Sequence, residues 1–372
     1  MLVACVLISA AVLIAWHVAL KIAMKNNDRN RDLSKSTVVL TGGTDGIGKY
    51  FLIEILKMTP KLMVFVGRDI EKAFKVIHQC KEVVQTSLQK ATSPKDIVNL
   101  TRIYGDLSKG NWVEGKRFES GSLIFCQVDL ADLDQVRAFA DYLKTKLERV
   151  DMLVNNAGGL YHTREKSRQN IEMTIASNYL GHLWLTDRLM PLLRVATEAR
   201  IINLSSCMHW MTLYLPKNVF IDFDDVFLDN KPTYDFWYQY SISKLSINLA
   251  TKGLVNWLDK NNLKNIKTVT VFPGIILTSF NRGMPPFLYI LTEVLRPLAL
   301  LVGNSVHQGA QVMLQTALED FEKLGNGAYY FNCKTAKENV FLDNSENVKK
   351  FWQHSIETLK STTKETLLNI SD

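Results

Sequence analysis

A short β-branched run at residues 37–40 leads directly into Thr41-Gly-Gly-Thr-Asp-Gly-Ile-Gly48, and this junction constrains the fold of the 372-residue chain more than any other stretch. Phe51, Ile55 and Leu56 follow at helical spacing, and Pro60 ends the helix they predict. Strand, glycine turn and helix in succession open a βαβ unit, because glycine permits the tight turn and a close backbone approach. The alternation then repeats. Strands are expected at 62–66, 123–128, 152–154, 201–204 and 268–272, with helices from Asp69, over 132–148, over 171–193 and around Tyr240. Short apolar strands alternating with amphipathic helices specify an α/β fold: a Rossmann-type doubly wound parallel sheet, covered on both faces, in a single domain over residues 36–360. Sheets of this kind bind ligands beyond the carboxyl ends of their strands, at the topological switch point.

A hydrophobic content of 47% can bury a full core, and 22% charged residues without a low-complexity tract argue against extensive disorder. Cys5, Cys80, Cys126, Cys207 and Cys333 are scattered and form no CxxC pair, so neither a disulfide framework nor a metal site is expected. The net charge of +7 lacks a basic stripe with interleaved aromatics, which argues against a nucleic-acid partner.

Residues 2–20 form an apolar run without a formal charge, about the length a bilayer requires. Lys21, Lys25, Arg29 and Arg31 come after it, whereas a cleaved signal would carry basic residues before a shorter run. A transmembrane helix is therefore expected at 1–21. A basic linker at 22–35 would lie beside lipid head groups, with the domain cytosolic by the positive-inside rule. Asn99 and Asn369 lie in glycosylation sequons, and modification at Asn99 would instead mark a lumenal domain; the sequon at Asn203 overlaps a strand. Two segments exceed the minimal pattern. Residues 85–119 read as a surface insertion, and 281–303, interrupted by Pro286, Arg296 and Pro297, as a lid. Residues 361–372 read as a tail.

The chemistry-bearing motifs follow the strands. Gly42, Thr44, Gly46, Ile47 and Gly48 would bring a pyrophosphate to a helix N-terminus. The second strand ends at Arg68, and a basic residue there accommodates the 2′-phosphate of NADP(H), with NAD(H) as the other possibility; Asp69 reads as a helix N-cap. Tyr240 and Lys244, four residues apart, share one helix face. A phenol titrates at about 10, and a nearby cation lowers that value, as proton transfer to a carbonyl or from an alcohol requires.

In order and spacing these motifs resemble the short-chain dehydrogenase/reductase family, and more narrowly its membrane-anchored, retinol-dehydrogenase-like branch, over residues 36–280. The resemblance extends the set of candidate residues. It implies that Asp129 and Leu130 meet the adenine, and that Asn156, Ala157 and Gly158 flank the cofactor. Pro273, Gly274 and Thr278 would contact the nicotinamide. It implies an active-site tetrad of Asn178, Ser206, Tyr240 and Lys244, with Ser206 favoured over Ser205 by register. Ser206 would hydrogen-bond the substrate oxygen, Lys244 would hold the ribose, and Asn178 would keep a water for proton relay. His182, His209 and Cys207 read as packing residues. The expected function is NADP(H)-dependent interconversion of a carbonyl and an alcohol on a lipophilic substrate of retinoid, steroid, polyprenoid or fatty-acyl type, at the endoplasmic reticulum membrane. The alternative is a membrane-tethered nucleotide-binding scaffold or regulatory protein without turnover. A homodimer through the helices carrying Asn178 and Tyr240 is a further expectation of the resemblance.

Overall fold

The computed structural model describes residues 27, 29–90, 111–113, 117–120, 123–214, 221, 223, 225–227, 234–276, 304–365 and 369–371. The expected anchor, most of the insertion, the whole of the lid, and Thr278 lie outside the described residues. Among the described residues ten strands form one sheet: β1 (Thr37–Thr41), β2 (Leu62–Gly67), β3 (Asn111–Val113), β4 (Arg117–Ser120), β5 (Leu123–Gln127), β6 (Met152–Asn155), β7 (Ala199–Leu204), β8 (Ile266–Phe272), β9 (Tyr329–Phe331) and β10 (Lys334–Thr335). Their order is β10-β9-β8-β7-β6-β1-β2-β5-β4-β3. The pairs from β5 across to β9 are parallel, while β10 and the β3–β4 hairpin are antiparallel. The sheet grows outward from β1 in both directions, so the crevice between β1 and β6 is the switch point.

All five residues of β1 are buried, which is why this strand reads as a continuous apolar run rather than an alternation. On one face lie α1 (Gly46–Leu56), α2 (Ile70–Lys90) and α6 (Val306–Leu318), packing Phe51, Val76 and Met313 against Phe65 and Val269. The other face holds α3 (Leu133–Lys146), α4 (Met173–Ile175, Ala176–Leu180 and Gly181–Val195), α5 (Phe236–Lys260) and α7 (Ser345–Thr363), with Phe139, Leu185, Leu245 and Phe351 in their core. Helix α4 begins at Met173–Ile175, passes through a π turn at Ala176–Leu180 and continues as Gly181–Val195.

Several boundaries differ from the sequence expectation. Helix α2 continues to Lys90, into the segment expected as an insertion, and β3 with β4 extends the sheet past β5. The hairpin has a physical reason: without it β5 would present a row of unpaired backbone groups at an edge. Helix α7 and the tail lie on α4 and α5. The Tyr179 hydroxyl donates to Ser355 Oγ at 2.6 Å, its ring lies 5.7 Å from Phe351, and Ile370 N donates to the Asp187 carboxylate at 3.0 Å. These contacts cover faces of the two helices through which pairing was expected. In the linker, Arg29 donates to Glu319 at 2.7 and 3.2 Å and Arg31 to Glu198 at 2.6 Å. Two charges expected beside lipid head groups are thus met by the domain's own carboxylates. Among the described residues no helix is long and apolar enough to cross a membrane.

Phe351 is fully buried, whereas Val340 is 53% exposed. Phe351→Ala should therefore lower the unfolding free energy by about 3–5 kcal/mol in urea titration. Val340→Ala should change it by less than about 0.5 kcal/mol.

Candidate active site

At the switch point β1 and β6 part, and the backbone groups of Thr41 and residues 155–157 must find partners outside the ladder. Thr41 supplies several of them. Its hydroxyl oxygen accepts from Asn156 N at 2.9 Å and Ala157 N at 3.0 Å. The Asn156 amide donates to the carbonyls of Thr41 and Gly42 at 2.8 and 3.2 Å, fastening the glycine loop to the end of β6. Gly48 packs so closely that a Cβ there would lie 2.2 Å from the Gly42 carbonyl oxygen. The loop thereby brings its backbone to the start of α1. Helix geometry leaves first-turn N–H groups without intrahelical partners, and Gly46 N is met by its cap Asp45 at 2.8 Å.

His182 continues this network. Its Nδ1 faces the Asn178 carbonyl at 3.0 Å, and a carbonyl only accepts, so Nδ1 carries the proton. Nε2 is then the acceptor for the Thr41 hydroxyl at 2.9 Å, a closer contact than Val154 O at 3.3 Å. Burial pushes the His182 pKa down to about 4, against the opposing effect of the Asn178 carbonyl. The sequence reading of His182 as a packing residue missed this link, although a histidine four residues after Asn178 on a helix is placed for it.

Asn178 is fully buried within the π turn, a distortion that recurs at functional sites. Its Oδ1 accepts from Gly159 N at 2.8 Å and from the Ser177 hydroxyl at 3.2 Å; its Nδ2 donates to Gly159 O at 2.9 Å and Ser243 Oγ at 3.2 Å. The side chain therefore clamps the turn after β6 to α5. Gly158 lies beside the same turn, where a Cβ would sit 3.3 Å from Asn178 Oδ1 and 3.8 Å from Lys244 Nζ.

Ser206 follows β7 and opens a 3-10 helix, Cys207–Tyr214, by accepting from Met208 N at 3.2 Å. Its hydroxyl is hydrogen-bonded to Tyr240. Ser205 instead turns inward to the Lys244 carbonyl at 3.4 Å, so of the two serines it is Ser206 that meets the tyrosine. Asp235 caps α5 and sets the helix that carries both Tyr240 and Lys244. Lys244 Nζ donates to Leu204 O at 2.9 Å and lies 5.5 Å from the Tyr240 ring centroid. The expected lowering of the phenol by the lysine is not what dominates. Burial raises Tyr240 well above the usual phenol range, the Ser206 hydrogen bond works against that rise, and Cys207 adds to it. Burial also pushes Lys244 down to about 7. Both side chains are driven toward their neutral forms because desolvation penalises each charged state.

The outer wall runs along the ends of β2 and β5. Arg68 Nη1 donates to the Tyr161 hydroxyl at 3.2 Å; burial opposes its charge, but Tyr161 and Asp129 outweigh it and leave the pKa raised. Asp129 accepts from Ala131 N at 3.0 Å, and Leu130 is buried. Asp69 accepts from Lys72 N at 3.0 Å, the capping role expected of it. Lys72, which the motif analysis did not single out, pairs with Asp45 at 2.7 Å and brings a cation to the glycine loop. Nothing in the local sequence pairs those two residues; the β2–α2 crossover does. Beyond β8, Gly274 has φ +86 and a Cβ there would overlap Asn304 Nδ2 at 1.9 Å, while Asn304 donates to Pro273 O at 3.3 Å.

The His182 shift carries a pH prediction. Between its folded value of about 4 and the ordinary 6.5, the unfolded chain binds a proton that the folded chain refuses. Stability should rise with pH through that window and fall on acidification, by an amount of order 3 kcal/mol from this group. Urea unfolding between pH 7 and pH 4.5 should show a shallower acid loss for His182→Asn than for the parent protein.

A family model described as short chain dehydrogenase matches residues 108–214. Human retinol dehydrogenase 14 is 28% identical over 303 residues, spanning 80% of this chain and 78% of its own. Human retinol dehydrogenase 12 is 24% identical over 330 residues, spanning 89% and 88%. A chloroplastic short-chain dehydrogenase of Brassica napus, TIC 32 A, is 24% identical over 339 residues, spanning 89% and 90%. Among solved structures, an uncharacterised protein from Mycobacterium paratuberculosis shares the fold with a TM-score of 0.61 at 21% identity, over 91% of this chain and 96% of its own. NADPH-bound carbonyl reductase from chicken fatty liver does so with a TM-score of 0.51 at 18% identity, over 82% and 100%. Motif order, strand order and sequence matches agree in making the chain similar to the short-chain dehydrogenases, the retinol dehydrogenases among them.

Proposed function

We propose that this protein is an NADP(H)-dependent oxidoreductase that interconverts a carbonyl and an alcohol on a lipophilic substrate. The observation that carries this reading is the hydrogen-bonded pair of Ser206 and Tyr240 hydroxyls with Lys244 buried one helical turn on, beside the switch point. The nicotinamide cofactor, when bound, supplies or accepts the hydride. The protein's own groups handle the oxygen. Tyr240, kept protonated by burial, donates its proton to the carbonyl oxygen in reduction and takes it back in oxidation. Ser206 donates a hydrogen bond to the same oxygen as negative charge develops there. Lys244, with a pKa of about 7, gains charge near neutral pH and then favours the phenolate. Asn178 acts through position, since its amide oxygen and nitrogen are engaged by Gly159 and Ser243.

The donor set suits a phosphorylated dinucleotide. The α1 N-terminus favours the pyrophosphate, and Arg68 with Lys72 offers two cations for a 2′-phosphate. Chicken carbonyl reductase and a metagenomic short-chain oxidoreductase, solved with NADPH and NADP, share this fold. An apolar substrate is favoured by Met211, Trp237 and Ile275, which are 45%, 39% and 51% exposed on the segments that carry Ser206, Tyr240 and Gly274. The relatives named retinol dehydrogenases point the same way. The apolar run at residues 2–20 would tether the domain to a membrane, that of the endoplasmic reticulum by analogy with those relatives.

NADPH oxidation with hydrophobic aldehydes and ketones, retinaldehyde among them, tests the reading. Tyr240→Phe should lose roughly 10²–10⁴-fold in kcat while keeping cofactor affinity. Arg68→Leu should lose on the order of 10-fold in kcat/KM with NADPH and little with NADH, as expected for removing a charged hydrogen bond. Cofactor binding without turnover by the parent protein would favour the scaffold reading instead. Deleting residues 1–25 should move the protein from the membrane to the soluble fraction without changing kcat.

A further inference from the structure

His209 is fully buried three residues after Ser206 and has no part in the chemistry above. It lies on the 3-10 helix, where its Nδ1 meets the Ser206 carbonyl. That carbonyl accepts, so Nδ1 is the protonated nitrogen and Nε2 a lone pair. Nε2 has no hydrogen-bond partner among the described residues. An orphaned buried acceptor costs stability that a leucine or phenylalanine in the same space would not. The imidazole is therefore poorly explained as packing, and the one thing it provides that an apolar side chain cannot is the Nδ1–H on Ser206.

The position of Ser206 depends on that contact. Ser205 N still donates to Val271 O of β8, but past it the β7–β8 ladder ends. From Ser206 onward the backbone is held by the 3-10 helix: Met208 N on the serine hydroxyl, and His209 N and Nδ1 on its carbonyl. His209 is itself held from far away in sequence. Its carbonyl accepts from Asn339 Nδ2 at 2.7 Å and from the Thr212 hydroxyl at 3.1 Å. Asn339 is fully buried, accepts from Phe341 N at 2.9 Å and lies 130 residues further along the chain. Tyr329 of β9 meets the His209 ring edge-on, with centroids 5.1 Å apart.

We propose that His209 is a positioning residue for the reaction: its imidazole holds the Ser206 carbonyl, and Asn339 holds His209, so that the serine hydroxyl is kept against Tyr240. This rests on the reading of Ser206 as the donor to the substrate oxygen. It makes the segment around Asn339 part of the active-site support, through a chain running from Asn339 to His209, Ser206 and Tyr240.

Two amide substitutions of His209 test it in the full-length protein, assayed with NADPH and a hydrophobic aldehyde. In His209→Asn the side-chain Nδ2 can stand where Nδ1 stood; in His209→Gln the amide is one methylene too far. His209→Gln should lower kcat by about 10- to 100-fold, the scale of an ångström-sized misplacement, with KM for NADPH unchanged within about 3-fold. His209→Asn should keep kcat within about 3-fold of the parent. Thr212→Val, which removes one donor from the His209 carbonyl and one acceptor from Asn339 Nδ2 while keeping its shape, should cause a smaller loss of kcat and remains informative if His209→Gln does not fold. Ser206→Ala combined with His209→Gln should be little worse than Ser206→Ala alone, because both act through one group. Equal kcat for the Gln and Asn variants, or a Gln variant that loses thermal stability with kcat intact, overturns the proposal while leaving the Ser206 reading standing. Full turnover by Ser206→Ala overturns both.

Discussion

The parting of β1 from β6 is the constraint on which the rest of the structure depends. Where two parallel strands diverge, their last backbone donors and acceptors lose ladder partners inside a buried region. Each one left unpaired costs about 1–3 kcal/mol, and several together would consume much of the 5–15 kcal/mol that keeps a domain folded. The chain answers with side chains: the Thr41 hydroxyl takes two backbone N–H groups, Asn156 caps two carbonyls, and His182 joins Thr41 to the Asn178 carbonyl. The same bonds that relieve the divergence hold the crevice open and fix what faces it. Structural satisfaction and site geometry are one network here, which is why Asn178 is committed on every polar atom of its amide.

Burial of α5 sets the chemistry within that crevice. From Gln239 to Thr251 the helix is buried on all sides, with β7 and β8 beneath it, α4 beside it and α7 above. Desolvation then acts on Tyr240 and Lys244 together, raising one and lowering the other. A protonated phenol beside a serine hydroxyl and an amine that titrates near neutrality follow from how completely the helix is enclosed. Helix α7 and the docked residues 369–371 complete that enclosure, so the C-terminal part of the chain packs around the candidate site, and Asn339 bonds the His209 carbonyl beside it.

The parts of the fold that were legible in the sequence are those in which one local pattern carries the information. The glycine loop, the apolar strands and the helix around Tyr240 each announce themselves within a dozen residues, and the register that favoured Ser206 over Ser205 agrees with the pairing to Tyr240. The β3–β4 hairpin, α6, α7 and the last two strands did not stand out. The strands are only two to four residues long and cover sheet edges, while the two helices carry no motif beside their apolar faces. His182 and His209 were read as packing because the partners of His182 Nε2 and of the His209 carbonyl, Thr41 and Asn339, lie more than a hundred residues away in sequence. Lys72 was passed over because its partner, Asp45, lies across a crossover.

The order of motifs along the chain was enough to specify the parallel sheet, to suggest the family resemblance and to nominate the candidate residues, because each motif is a contiguous segment whose backbone conformation depends on its own residues. Proton positions and charge states were decided only by tertiary structure. Spacing on one helix face suggested that Lys244 would lower Tyr240, yet the lysine lies over the ring, bound to Leu204 O, and burial governs both groups. Burial is a property of everything packed around a side chain, and residues as distant as Phe351 and Ile370 contribute to it. Which atom of a histidine carries its proton depends on partners that only folding brings together.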